Sequence, residues 1–393
     1  MTSRVRRNIP LLAWFNFLLD FRLYAPIMVI YFERITDSYA LAMSVLSVIM
    51  LSAALLEVPT GIFSDMIGRR RTVIVGAVAS LGAVTCYAIG GTYWVLLMGA
   101  FLEGLERALF SGNNDALLHD TLAELDQRGD YQVQLGRVSS AYQFALAISA
   151  VAGGVIAAVS FGAVMWLSVL PKVMMVALSL RFIEPAVHSA ASGNVFGHLK
   201  EALRQFAINP RLRLLSIAQI IMFGAGETAF QFRPVFIESL WPLWAIGVAR
   251  AVSNMTAAFS FFFAGDLLKR FGERPLIYGG NALSEFINTV ALIWPTVLSP
   301  LLMGSTSIFY GVNTVSQNGL MQREFTDAQR ATMGSLTAFG GSLFFAVFSL
   351  LLGWLADVMG VRNALIIATL FGTTRLIFYW LAFRRDPAPQ PAT

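Results

Sequence analysis

The chain has 393 residues, of which 56 % are hydrophobic and 13 % charged, with 28 Lys plus Arg against 23 Asp plus Glu. A soluble domain carries about a quarter charged residues, so these proportions exclude a water-soluble enzyme. A single cysteine, Cys86, and three scattered histidines argue against a disulfide framework or a metal cluster, and the nucleotide-binding string G-x-x-x-x-G-K-[ST] is absent.

Runs of about twenty apolar residues, the length a helix needs to cross a bilayer core of roughly 30 Å, recur from one end to the other. In chain order they predict spans near 9–31, 40–62, 72–90, 93–118, 137–160 and 162–183, then 212–236, 242–264, 275–292, 294–320, 331–355 and 361–383. The first run follows Arg4, Arg6 and Arg7 as a signal peptide would. It lacks a small-residue cleavage site and contains Asp20 and Arg22, so it reads as a retained helix. The longest polar stretch, 185–211, separates an N-terminal six-helix bundle, 1–184, from a C-terminal one, 212–393. Within it Phe196, Leu199, Leu203 and Phe206 recur at helical spacing opposite Lys200, Glu201 and Arg204, as expected of a short amphipathic helix on the cytoplasmic surface.

Basic loops stay cytoplasmic. With twelve spans and an inside N-terminus, Arg4, Arg6, Arg7, Arg69 to Arg71, Arg211, Arg213, Lys269, Arg270, Arg274, Arg384 and Arg385 fall on that side, whereas the opposite face keeps Arg34, Arg233 and Arg362. Both termini are therefore expected inside, and the net charge of +5 orients the chain in its membrane rather than marking a nucleic-acid partner.

The halves are related. Gly61, Gly68 and Arg70 recur 204 positions on as Gly265, Gly272 and Arg274, and Ala116-Leu117-Leu118 is echoed 203 positions on by Gly319-Leu320-Met321. Each match falls at an equivalent place in its half, which supports two parallel six-helix repeats.

The loop between spans two and three reads Gly61-Ile62-Phe63-Ser64-Asp65-Met66-Ile67-Gly68-Arg69-Arg70-Arg71. It resembles the G-x-x-x-D-x-x-G-R-R signature of the major facilitator superfamily, in the loop where that family carries it. The resemblance implies two six-helix bundles around a central cavity, working by alternating access as a monomer, with no enzymatic activity and no cofactor. It also implies that Asp65, Arg69 and Arg70 gate the cytoplasmic side, that Gly61 and Gly68 allow close packing, and that Arg107 with Gly112 is a loose form of the fourth-span arginine motif. The second copy departs from the pattern, with Lys269 where an acid would match Asp65 and Glu273 among the arginines. Leu56-Glu57-Val58-Pro59-Thr60-Gly61, Ser111-Gly112 and Ala116-Leu117-Leu118-His119-Asp120 look most like bacterial drug-efflux members, which implies an inner-membrane proton antiporter.

Ionised side chains at mid-bilayer cost about 2.5 to 3.5 kcal/mol each on insertion scales. Asp20 and Arg22 lie two apart, on different sides of a continuous helix, so they are expected not to neutralise each other. Glu103, Glu106 and Arg107 share a face, and a Glu103–Arg107 bond would leave Glu106 unpaired. Asp20, Glu103, Glu106 and Glu227 are the candidate proton-coupling acids, against the alternative of fixed pairs such as Asp20 with Arg107. Glu285 and Arg375 are expected to pair at the periphery with no transport role, while Lys172 either snorkels or pairs. Phe17, Arg22, Tyr24, Phe230, Gln231, Tyr310, Asn313 and Gln317 are the candidate substrate contacts, aromatic and polar groups that suit an amphipathic ligand. The expected function is proton-coupled export of lipophilic or cationic small molecules. Import of a polar nutrient, lipid handling, or a non-transporting receptor on the same fold are the alternatives.

Overall fold

Among the residues described by a computed structural model, 2–186, 204–324 and 330–385, every regular element is a helix. Most of the expected linker helix, including Phe196, Leu199 and Leu203, lies outside those residues. Seven helical segments are long and apolar enough to cross a membrane by length and composition. The others of the twelve are shorter, broken or more polar. Large apolar side chains such as Val78, Phe144, Phe262, Phe286 and Val347 are exposed; in water such a surface would aggregate, and in a bilayer it faces lipid.

Four expected spans are interrupted, the twelfth only by a turn at Thr374 between Val361–Thr373 and Arg375–Phe383, and the breaks in spans one and ten are satisfied internally, as a bilayer requires. Span one runs Asn8–Asp20, turns, and resumes as Ala25–Ile27 and Met28–Thr36. The helical-spacing argument for Asp20 and Arg22 therefore does not apply, because Arg22 lies beyond the helix end. The carbonyl of Leu19, freed by the break, accepts from Arg22 Nε at 3.2 Å and Lys172 Nζ at 2.6 Å, two cations at the negative end of a helix dipole. Span four ends at Phe110, and Gly112 turns the chain at φ 69° into a separate helix, Asn113–Glu124, which carries Asp115 out of the expected span. Span ten divides into Ser299–Ser305, Thr306–Phe309 and Tyr310–Gln322. Span eight, Leu243–Phe271, satisfies this break: Ser260 Oγ accepts from Val312 N at 3.0 Å and Thr256 Oγ1 donates to the Gly304 carbonyl at 3.0 Å.

The chain forms two compact units, residues 1–191 with 241–251, and residues 192–240 with 252–393. Their cores use equivalent positions. Val73, Leu117, Leu118 and Phe182 are buried together in the first, and Ile277, Leu320, Met321 and Phe383 in the second. The polar scaffolding repeats as well. Arg70 Nη2 donates to the Leu180 carbonyl at 3.0 Å, and Arg274 Nη2 to the Phe383 carbonyl at 3.4 Å. Asn8 Nδ2 donates to Thr121 Oγ1 at 3.1 Å, and Asn209 Nδ2 to Glu324 Oε2 at 2.9 Å.

Asn8 is fully buried and also exchanges hydrogen bonds with the backbone of Ile183, at 2.8 and 3.0 Å. Its truncation orphans buried groups on two other segments. Asn8→Ala is expected to cost about 2 kcal/mol, read as a lowered Tm of the purified protein; an unchanged Tm would show these bonds to be replaceable by water.

Candidate functional site

The break in span one places Arg22 against span four, Tyr93–Phe110. Arg22 Nη1 donates to Glu103 Oε1 at 2.9 Å and Nη2 to Glu106 Oε1 at 3.2 Å, while Asp20 lies 3.8 Å from Nε. Glu103 also accepts from Arg107 Nη2 at 2.8 Å and from the Tyr87 hydroxyl at 3.0 Å. Glu106 is thus not left over by the Glu103–Arg107 bond, because Arg22 takes it. Arg107 pairs with Glu103 rather than with Asp20. Lys172, 1 % exposed, does not snorkel and has no acid within salt-bridge distance among the described residues, but donates to the Leu19 carbonyl. Three cations and three carboxylates are thereby gathered in one charge-balanced cluster, and Tyr24 packs beside it, edge-on to Tyr87 at 5.8 Å. Phe17 stacks instead on Phe21.

The signature loop is bound into its own unit. Gly68 has φ 94°, and a Cβ there would fall 2.8 Å from Glu184 Oε1, whereas one at Gly61 would meet nothing within 4 Å. Close approach is required at Gly68 alone. The Glu184 carboxylate caps the third span, Arg69–Ile89, accepting from the backbone N–H groups of Arg69 and Arg70 at 2.7 Å each. A carboxylate on two N-terminal amides is a strong arrangement. Arg69 reaches Ser64 Oγ at 3.0 Å and lies 3.7 Å from Asp120, and Ser64 Oγ donates to Asn113 Oδ1 at 2.8 Å. The Asp65 side chain lies outside the described part. Sequence reasoning missed Glu184; an acid just after the sixth span, beside Pro185, is the signal it left.

The second unit contains a cavity of about 340 Å³. Span seven, Pro210–Glu238, contributes Glu227, Phe230 and Arg233; span nine, Glu273–Ile293, contributes Asn281, Glu285 and Asn288; and span ten contributes Phe309, Tyr310, Asn313 and Gln317. Seven carboxamides line it in all, with Gln219, Asn254 and Asn318 completing the set. Gln231 is not in the wall but holds Glu227, donating to its Oε1 at 2.6 Å. Glu285 and Arg375 do pair, at 2.6 Å, yet the pair lines this cavity instead of lying at the periphery. Their spacing in the sequence gave their depth but not the inward turn of spans nine and twelve.

A helical membrane protein with this loop and these two repeats has the architecture of a membrane transporter. The model for the Major Facilitator Superfamily matches residues 11–343, and the chain belongs to that family of secondary transporters, which are not enzymes. A search of curated protein sequences found no match. Among solved structures, a bacterial homolog of the human lysosomal transporter Spinster, inward-facing and unoccupied, has a TM-score of 0.79 at 15 % identity, covering 99 % of both chains. A variant of the nucleoside transporter NupG has a TM-score of 0.79 at 13 % identity, covering 96 % of this chain and 100 % of its own. A POT family transporter in complex with a thioalcohol-conjugated peptide has a TM-score of 0.70 at 13 % identity, covering 96 % of each chain. At such identities the likeness is one of fold.

Proposed function

We propose that the chain exports a small organic molecule by alternating access, in exchange for protons, with Glu227 as the coupling acid. Glu227 carries this reading. Glu103 and Glu106 are each held by Arg22, and Glu103 also by Arg107, whereas Glu227 faces a cavity and has one neutral partner, Gln231. An acid balanced by a fixed guanidinium has little reason to take up a proton, and an acid in a solute-sized cavity exchanges its proton with cargo. Asp20, whose one ion pair among the described residues is to Arg22 at 3.8 Å, is the second coupling group.

The export direction, the inner bacterial membrane and the cytoplasmic termini rest on the sequence: the drug-efflux-like wording around Glu57-Val58-Pro59 and the placing of the basic loops. A monomer suffices, since each repeat is present once. The carboxamides of the cavity favour a second reading, import of a polar nutrient. The nucleoside carrier among the structurally similar proteins is compatible with it.

The test follows lumenal pH in energised everted vesicles offered ethidium, uracil or D-glucose. At least one solute is expected to release protons, and Glu227→Gln to reduce that release at least tenfold at equal membrane abundance. Undiminished release in Glu227→Gln removes Glu227 from the cycle. Lack of solute-dependent flux with all three, in vesicles and in proteoliposomes, favours the receptor alternative.

A further inference from the structure

The polar wall of the cavity in the second unit is one chain of hydrogen bonds whose end is unused. Arg375 Nη2 donates to Glu285 Oε1 at 2.6 Å, and Arg375 Nε and Nη2 donate to Asn281 Oδ1 at 3.1 and 2.8 Å. A guanidinium only donates, so the atom of Asn281 facing it is the carbonyl oxygen. Asn281 Nδ2 is occupied by the Ile277 carbonyl at 2.6 Å. The atom of Asn313 that meets Asn281 Oδ1 at 3.2 Å must then be its nitrogen. Asn313 Oδ1 is left as an acceptor without a partner, on a side chain 6 % exposed.

One turn further along the same helix, Gln317 is 2 % exposed and its Nε2 has no partner. Positions four apart share a helix face, and both residues line the cavity. Buried polar groups are nearly always paired, and an orphan calls for a missing partner. Here there are two on one helix face, one acceptor and one donor.

We propose that Asn313 and Gln317 recognise a small, electrically neutral cargo that presents a hydrogen-bond donor next to an acceptor, the pattern of a lactam ring or of vicinal hydroxyls. Gln317 Nε2 donates to the acceptor of the cargo, and Asn313 Oδ1 accepts from its donor. The proposal rests on the transport reading above and narrows its cargo. Charge agrees with it: with Glu227 ionised, the two carboxylates of Glu227 and Glu285 and the two guanidinium groups of Arg233 and Arg375 sum to zero, so the walls then carry no net charge to attract an ion. Phe230 and Phe309 offer apolar ring faces to the rest of the molecule. The volume, at the low end of ligand pockets, suits a solute smaller than a drug.

The test is equilibrium binding and thermal shift on the purified full chain at neutral pH, without a proton gradient, using uracil for the lactam pattern, D-glucose for vicinal hydroxyls and ethidium as a cation. One of the two neutral probes is expected to bind and raise the Tm. Gln317→Leu is expected to weaken that binding about fivefold or more, with a ligand-free Tm no lower than that of the parent, because no bond is lost. Asn313→Leu, which removes the acceptor, should weaken that binding by a similar factor. No binding of either neutral probe, binding indifferent to Gln317→Leu, Gln317-dependent ethidium binding, or an unfolded Gln317→Leu variant each overturns the proposal. Because no gradient is involved, a neutral probe that binds here while Glu227→Gln leaves proton release unchanged sinks the coupling assignment and not the cargo class.

Discussion

Arg22→Ala is expected to destabilise the protein by about 3 to 5 kcal/mol, the scale for removing one partner of a buried charge pair. Among the described residues Arg22 alone bonds both Glu103 and Glu106, and those carboxylates sit on side chains 2 % and 3 % exposed. Without it Glu103 keeps Arg107 and Tyr87, but Glu106 keeps no cation within salt-bridge distance among the described residues. The Leu19 carbonyl at the helix break also loses one of its two donors. Arg22→Lys is expected to rescue only in part, because an ammonium cannot span two carboxylates as the planar fork does. The measurement is the Tm and the monodisperse yield in detergent. A variant as stable as the parent would mean that water enters the cluster and that the three carboxylates are less committed than their distances suggest.

Glu184→Ala is expected to cost about 3 kcal/mol, from two charge-assisted bonds to backbone amides. Its effect should also be local in a way that the Arg22 effect is not. Losing the cap frees the N–H groups of Arg69 and Arg70 at the start of span three, in the loop that carries the family signature. Faster amide exchange and easier proteolysis are therefore expected at residues 66–72, with the remainder of the first unit unchanged. Glu184→Gln retains one acceptor oxygen and should lie between the two. Protection of that loop as strong in Glu184→Ala as in the parent would show that Arg70 and the Leu180 carbonyl hold it unaided.

The span count and the repeat were legible because each is written in many residues at once. A bilayer demands a long apolar run for every crossing, and Leu117 and Leu320 are buried in matching cores since both halves pack alike. The interruptions were not legible. Phe21 to Tyr24 contains neither Gly nor Pro, and only Leu19 meeting Arg22 and Lys172 explains why an unwound turn is tolerated there. The site was legible by composition and opaque in geometry. Asn313 and Gln317 stood out as polar residues in an apolar helix, while the Arg375 to Asn281 contact that orients Asn313 joins positions 94 residues apart. Helical spacing alone carries no information about such a contact.

The balance of the Arg22 cluster also bears on how the protein responds to voltage. A potential of 100 mV does about 2.3 kcal/mol of work on each elementary charge that crosses it. Asp20, Glu103 and Glu106 formally cancel Arg22, Arg107 and Lys172, so that electrical work sums to zero for the six groups moving as a body. The membrane field therefore does no net work on these six groups while Asp20 is ionised, and in the proposed cycle a proton taken up at Asp20 is the charge through which it acts on them.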